Sequence, residues 1–436
     1  MNECSMDNVR AQKQPEWSKN AVIYQVNTRQ FSPQGTFEQV TKKLNHIKSL
    51  GADIVWLMPV HPIGEKHRKG TLGSPYSVKD YYRINSEFGT ESDLRTLISA
   101  AHSMDLKIIL DWVPNHSAWD NELVDLHPEW YAKDHHGNFR PSPWWDWSDI
   151  IEFDYSVPEL RTYMINAMKY WVENFDVDGF RCDVAGYVPN DFWQQACDAL
   201  REIKPIFMLA EWENRDLHSA GFNMTYAWSW NETVHEVTQG KCSLDRLRKY
   251  YSWNERSWPA DAYRMTFVSN HDKNAWDGTQ HEQFGEGLEA AIVLSVMGEG
   301  MPLIYNSQEA GESKRLAFFE KDCIEWKRHS IGTLYQELIA LKKRTSALWN
   351  GDFGARMIHV PNSKMNQVIS FVRQDDASKV AVLINFSALC QRVRLHDIVV
   401  EGRYENALAN TPCELDTRSE VTLGPWCYLV AVQSKN

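Results

Sequence analysis

Asp183, Glu211 and Asp272 each follow an apolar, strand-like run, and residue types of this kind can break bonds by paired acid chemistry. They stand in three of four short polar clusters: Leu110-Asp111-Trp112-Val113-Pro114-Asn115-His116, Gly179-Phe180-Arg181-Cys182-Asp183-Val184-Ala185, Leu209-Ala210-Glu211-Trp212 and Val268-Ser269-Asn270-His271-Asp272. Cleaving a glycosidic bond with retention requires one ionised carboxylate as nucleophile and one protonated carboxyl as acid, about 5–5.5 Å apart. Like charges held that close do not both ionise easily, so such a pair can keep one acid neutral near pH 7. Arg181 lies two residues before Asp183, on the same side of a regular strand, where its guanidinium can orient that carboxylate. His116 and His271 are donors suited to sugar hydroxyls. Neither has the H-E-x-x-H spacing of a zinc hydrolase.

Other acids compete for these roles. Glu213 is a second choice for the acid, but Glu211 directly follows the apolar run IFML and is preferred. Asp111 reads as a cap or salt-bridge partner, and Cys182 as a core residue facing away from Asp183.

Elements must bring these residues to one place. Strand-like runs fall at Ala21–Val26, Asp53–Met58, Lys107–Leu110, Val177–Arg181, Ile206–Leu209, Met224–Trp228, Met265–Val268 and Met301–Tyr305. Amphipathic helical patterns fill the intervals. Phe37, Val40, Leu44 and Ile47 share one face. Thr90 with Asp93 forms a capping signal, and Pro158 opens a helix that buries Leu160, Met164 and Trp171. Later helices are expected at Asp191–Ile203, Leu244–Tyr251, Gly285–Met297 and Ile331–Lys343. This alternation predicts a (β/α)8 barrel, whose active site gathers at the C-terminal ends of the strands. The sixth unit is the weakest, because its pattern is short and aromatic.

The third strand-to-helix connection is long and rich in Trp, His, Asp and Pro, so it is expected to shape the site. After Trp349 the helical pattern gives way to β-type runs such as KVAVLINFS and WCYLVAVQ. The expected organisation is therefore a barrel over 17–115 and 153–348, an inserted domain over 116–152, and a C-terminal antiparallel β-sandwich over 349–436.

Composition sets the class. The net charge of −12 disfavours a polyanion-binding role, and 43% hydrophobic with 24% charged residues fits an ordinary globular protein. No segment reaches the roughly 20 uninterrupted apolar residues of a membrane helix. The first sixteen residues read as a polar lead-in with no apolar signal core, and the eight cysteines show no C-x-x-C pair; together they lead to a cytoplasmic expectation. Trp is abundant at 19 residues. Most are expected in the core, with some offering flat faces to sugar rings.

In order and content the four clusters resemble the signature regions of the α-amylase family of glycoside hydrolases, family 13. The resemblance extends to GSPYSVKDYYRINSEFGT, EFDYSVPEL and GMPLIYNSQEAG, and covers Ala21 to Thr345. It implies that Asp183 is the nucleophile, Glu211 the general acid/base and Asp272 the transition-state stabiliser. Arg181, His116, His271 and Tyr76 would line the subsite of the cleaved ring, with Tyr76 as its stacking platform. The substrate implied is a starch-type α-glucan or maltooligosaccharide, with no nucleic acid or membrane partner. Alternatives are a cyclomaltodextrinase or maltogenic enzyme, an α-glucan transglycosylase, or more remotely a non-catalytic carbohydrate-binding or transporter-accessory protein.

Departures bear on detail. Ser77 stands where some members carry an Asp that grips the non-reducing end, which leans toward an open cleft. The Lys-His pair that follows the nucleophile in many amylases is replaced by VAGYVPN. Asn115 matches a family calcium ligand without its usual companions, so no cofactor is required and Ca2+ is one option. Lys273 follows Asp272 where an acid is common.

Overall fold

The computed structural model describes residues 14–434; most of the polar lead-in expected over the first sixteen residues lies outside the described residues. Its centre is a closed parallel barrel. The strands in chain order are β1 (Ile23–Val26), β2 (Ile54–Leu57), β3 (Lys107–Trp112), the paired strands β4 (His116–Ala118) and β5 (Ile150–Glu152), then β6 (Gly179–Cys182), β7 (Phe207–Ala210), β8 (Met224–Tyr226), β9 (Tyr263–Phe267) and β10 (Met301–Tyr305). Around the barrel they run β1-β10-β9-β8-β7-β6-β3-β2, while β4 and β5 pair with each other outside it.

The two-residue period of a strand decides which side chains enter the barrel. Ile109, Phe207 and Leu209 join Trp56, Tyr226 and Phe267 in an interior cluster, whereas Leu110, Trp112, Phe180, Cys182 and Met208 pack outward against the helices. The same parity carries Asp111, Arg181, Asp183 and Glu211 inward at the strand ends. Glycine permits one close contact on which this depends. A Cβ on Gly179 would lie 1.8 Å from the Phe207 carbonyl oxygen, so only glycine lets β6 and β7 start side by side.

Helix Phe37–Ser49 buries Phe37, Val40, Leu44 and Ile47 as its spacing predicts. Helix Glu91–Ser103 begins with a reciprocal capping box between Thr90 and Asp93. The sixth unit differs from its expectation. Its strand stops at Tyr226, and Trp228 starts a helix that runs to Thr238. The aromatic run WSW fits either period, and the burial of Trp230, Val234 and Val237 on one helical face decides for helix.

Beyond the barrel, an antiparallel sheet of six strands includes Val368–Gln374, Ser378–Asn385 and Tyr428–Ser434. The short pair Gln391–Arg394 and Glu420–Leu423 covers one face, sharing a core of Val368, Leu383, Val393 and Leu423. Buried Arg373 fastens this sheet to the barrel by donating to the carbonyls of Gly298 at 2.8 Å and Leu348 at 3.3 Å. Among the described residues, no helix is long and apolar enough to cross a membrane.

Candidate active site

Arg181 organises the strand ends. Its side chain is fully buried, and Nη1 donates to Asp111 at 2.8 Å and Asp183 at 2.9 Å while Nη2 pairs with Glu211 at 2.9 Å. Its flat face lies 5.0 Å from the Trp56 ring and 5.5 Å from the Tyr76 ring. The two nitrogens of this one guanidinium thus hold Asp183 and Glu211 side by side.

Burial pushes both carboxyls of this pair up from their ordinary range, and Arg181 opposes the shift in each. The negative charges of Asp183 and Asp272 act further on Glu211, so Glu211 is the one that keeps the proton. Val184, the residue after Asp183, also reaches Glu211. Val184 has φ +36°, a left-handed conformation that is strained for a β-branched side chain. Its N–H donates to Glu211 Oε2 at 2.8 Å.

Asp111 lies beneath this pair. It accepts from Trp56 Nε1 at 3.0 Å, Tyr76 Oη at 3.0 Å and Arg181, and burial pushes its carboxyl up to about 7. It is fully buried and positions Arg181 and Tyr76, in keeping with the salt-bridge role read for it. Tyr76 Oη also meets His271 Nε2 at 2.8 Å, and Gln25 Nε2 meets His271 Nδ1 at 2.7 Å. His271 Nε2 lies 3.3 Å from Asp272, and His116 Nε2 lies 3.9 Å from Asp183. Burial lowers both histidines to about 4, so near pH 7 they are neutral hydrogen-bonding groups rather than charges.

Tyr76, His116, Arg181, Asp183, Glu211, His271 and Asp272 therefore meet at one place, all but the buried Arg181 lining a cleft of about 840 Å³. Glu213 is directed elsewhere: it accepts from Ser229 N at 2.8 Å and is paired with Arg264. Asn115 spends its amide nitrogen on His116 at 3.2 Å and Ser142 at 3.1 Å. Among the described residues, no group of three or more His, Cys, Asp or Glu side chains is arranged to hold a metal ion.

Sequence reasoning did not single out the aromatic walls of the cleft. Trp145, Trp147, Trp228, Trp276, Phe318 and Phe319 all line it. The abundance of Trp and the long third connection pointed to such surfaces in general, but not to these positions. Trp145 stacks on Trp147 with centroids 5.4 Å apart, and its Nε1 donates to Tyr187 Oη at 2.8 Å.

Comparison with known proteins gives a consistent result. The family model for the α-amylase catalytic domain matches residues 18–402. The α-amylase MalA of Haloarcula japonica is 25% identical over 86% of this chain, and the chain spans only 56% of MalA's own length. Among solved structures, a maltogenic α-amylase, AmyB, from Thermotoga neapolitana is 32% identical, with a TM-score of 0.88 over 96% of this chain and 100% of its own. An α-amylase from Lactobacillus plantarum is 30% identical, with a TM-score of 0.85 over 96% of this chain and 99% of its own.

Proposed function

This chain belongs to the α-amylase family of glycoside hydrolases, and on that premise we propose that it hydrolyses α-1,4-glucosidic bonds of starch-type glucans or maltooligosaccharides with retention. One observation carries the reading: a single guanidinium, Arg181, holds Asp183 through Nη1 and Glu211 through Nη2, each at 2.9 Å. An inverting pair must stand about 6.5–9.5 Å apart to admit water between acid and base, whereas two carboxyls gathered on neighbouring nitrogens of one guanidinium suit the closer spacing of a retaining pair.

The steps follow from the protonation states. Protonated Glu211 donates its proton to the glycosidic oxygen as Asp183 attacks the anomeric carbon. The bond to the leaving sugar breaks, and an Asp183 ester forms. Water then enters, Glu211 (now a carboxylate) takes its proton, and the hydroxide oxygen displaces Asp183 with a second inversion. Asp272 and the neutral rings of His116 and His271 hold hydroxyls of the ring being cleaved, against Tyr76 as a stacking surface. A sugar hydroxyl replacing water would give transglycosylation from the same ester. The wall beyond Glu211, with Trp228 and Glu232, offers such an acceptor a surface.

Proton NMR of the earliest products from maltoheptaose tests the reading. The α anomer is expected first, with β appearing only by mutarotation; β first, or no hydrolysis of α-glucans, would overturn it.

The pH profile gives a second check. The bell should have an acid limb above the ordinary aspartate range, where the nucleophile of the pair is protonated as pH falls. Its alkaline limb is Glu211 losing its proton as pH rises. Glu211→Gln should reduce kcat on starch by about 10²–10⁴-fold. With an aryl maltoside whose leaving group needs no proton, kcat/KM of that variant should lose the alkaline limb and keep the acid one. An unchanged bell in the variant would show that Glu211 is not the acid.

A further inference from the structure

The cleft is fastened across one rim and left open at the other. In the barrel order, β7, whose end carries Glu211, is diametrically opposite β1. Glu211 delivers its proton to the leaving group, so the leaving sugar departs on the β6–β7–β8 side. The glycone part of the chain must then extend toward the rim formed by β10, β1 and β2.

Residues 64–73, between β2 and Tyr76, form a strap across that rim. The strap is tied to the segment after β10: Leu72 N donates to the Phe319 carbonyl at 3.1 Å, Thr71 N donates to Glu320 at 2.9 Å, and the Thr71 hydroxyl donates to the same carboxylate. Gly70 has φ +64°, and a Cβ there would lie 2.5 Å from Phe319 Cβ, so only glycine lets the strap lie on Phe319. From below, buried Arg29 donates to the Gly73 carbonyl at 2.9 Å and the Leu72 carbonyl at 3.3 Å.

Lys69 then crosses from the strap to the inserted segment. Its ammonium donates to the Asp146 carbonyl and lies 3.5 Å from the Asp146 carboxylate and 3.9 Å from that of Asp149. Ser77 Oγ donates to the Asp149 carbonyl at 2.9 Å, so the residue next to the Tyr76 platform holds the insert down at the same place. Lys69, Asp146, Asp149 and Phe319 all line the cleft. As a partly exposed ion pair Lys69 adds little to stability. Its consequence is steric and polar: it stands where a continuing glucan chain would pass.

We infer that residues 64–73, with Lys69 as crossbar, form an end-stop on the glycone side, so that the cleft accepts non-reducing chain ends and releases a short sugar of fixed length. The inference rests on the proposed α-glucan reaction and adds its mode of attack, reversing the open cleft expected from Ser77, whose hydroxyl here helps to hold the insert at the stop. Internal segments of a chain would have to pass the crossbar, whereas a chain end can stop against it and present hydroxyls to Lys69 and Asp149.

The test uses two forms of para-nitrophenyl maltoheptaoside, one free and one with an ethylidene acetal capping the non-reducing ring. The wild-type protein should cleave the capped form at least about tenfold more slowly by kcat/KM, and should release one predominant short sugar from the free form. Lys69→Ala, and separately Thr71→Val with Glu320→Ala, should narrow that difference to within about threefold and broaden the product distribution. Melting curves confirm that each variant is folded. Equal wild-type rates on the two substrates would overturn the end-stop alone, as would full discrimination retained in both folded variants. No turnover of either substrate would overturn the proposed reaction, and the end-stop with it.

Discussion

Asp183→Asn is expected to lose on the order of 10⁴-fold or more in kcat on maltoheptaose while melting at or slightly above the wild-type temperature. The loss is large because the nucleophile acts only in bond breaking: an amide oxygen in its place does not form the ester. The fold should persist because the change is isosteric, and the asparagine oxygen can still accept from Arg181 Nη1, which lies 2.9 Å from Asp183. Charge points the same way. Arg181 faces Asp111, Asp183 and Glu211 at once, and burial disfavours ionisation of all three. Removing one negative charge brings the cluster nearer to neutrality. It also removes one of the charges that keep Glu211 protonated, so the Glu211 carboxyl should titrate lower in the variant. The checks are single-turnover kinetics, a thermal melt near pH 7 and the pH dependence of residual activity. Residual kcat within about tenfold of wild type would remove Asp183 from the nucleophile's role.

The barrel was legible because each strand is a local apolar run, and its alternation fixes inward and outward faces without any distant information. Parity put Arg181 and Asp183 on one side of their strand, and the positions of Asp111 and Glu211 at the ends of other strands put them on the same rim. Glu213 could be set aside because the chain has left the strand before reaching it; the structure pairs it with Arg264 instead. Contacts between residues far apart in sequence were not legible. Thr71 and Glu320 are separated by 249 positions, and Lys69 and Asp146 by 77, so neither pairing leaves a local pattern. The helix from Trp228 was missed because aromatic residues serve strand and helix alike, and tertiary burial settles the choice. The left-handed Val184 was hidden for the opposite reason: its sequence argues against that conformation, and the packed strand ends impose it.

Arg181→Leu is expected to damage stability and activity together, with a pH dependence that distinguishes charge from packing. The guanidinium has no exposed surface and is the cation shared by Asp111, Asp183 and Glu211. Removing one partner from a buried charge cluster costs about 3–5 kcal/mol, because the remaining carboxylates lose their compensation without regaining water. The sign with pH follows from linkage. Without the cation, the folded-state pKa values of these acids rise further above their unfolded values near 4. The folded variant then holds protons that the unfolded chain has released. Its stability is fullest below about pH 4 and falls as pH rises through the raised folded values. Urea unfolding of wild type and variant should therefore differ least near pH 5, where Asp111 and Asp183 are protonated in both, and increasingly as pH rises above about 7, where these carboxyls ionise in the wild type but not in the variant. Arg181→Lys separates the two contributions. A lysine restores one charge but not the fork that reaches Asp183 through Nη1 and Glu211 through Nη2. It should recover much of the stability yet leave kcat at least about 10²-fold low, with the acid limb displaced to higher pH. A stability loss in Arg181→Leu that is the same near about pH 5 and above about pH 7 would assign Arg181 a packing role and remove it as the group that sets the protonation of Asp183 and Glu211.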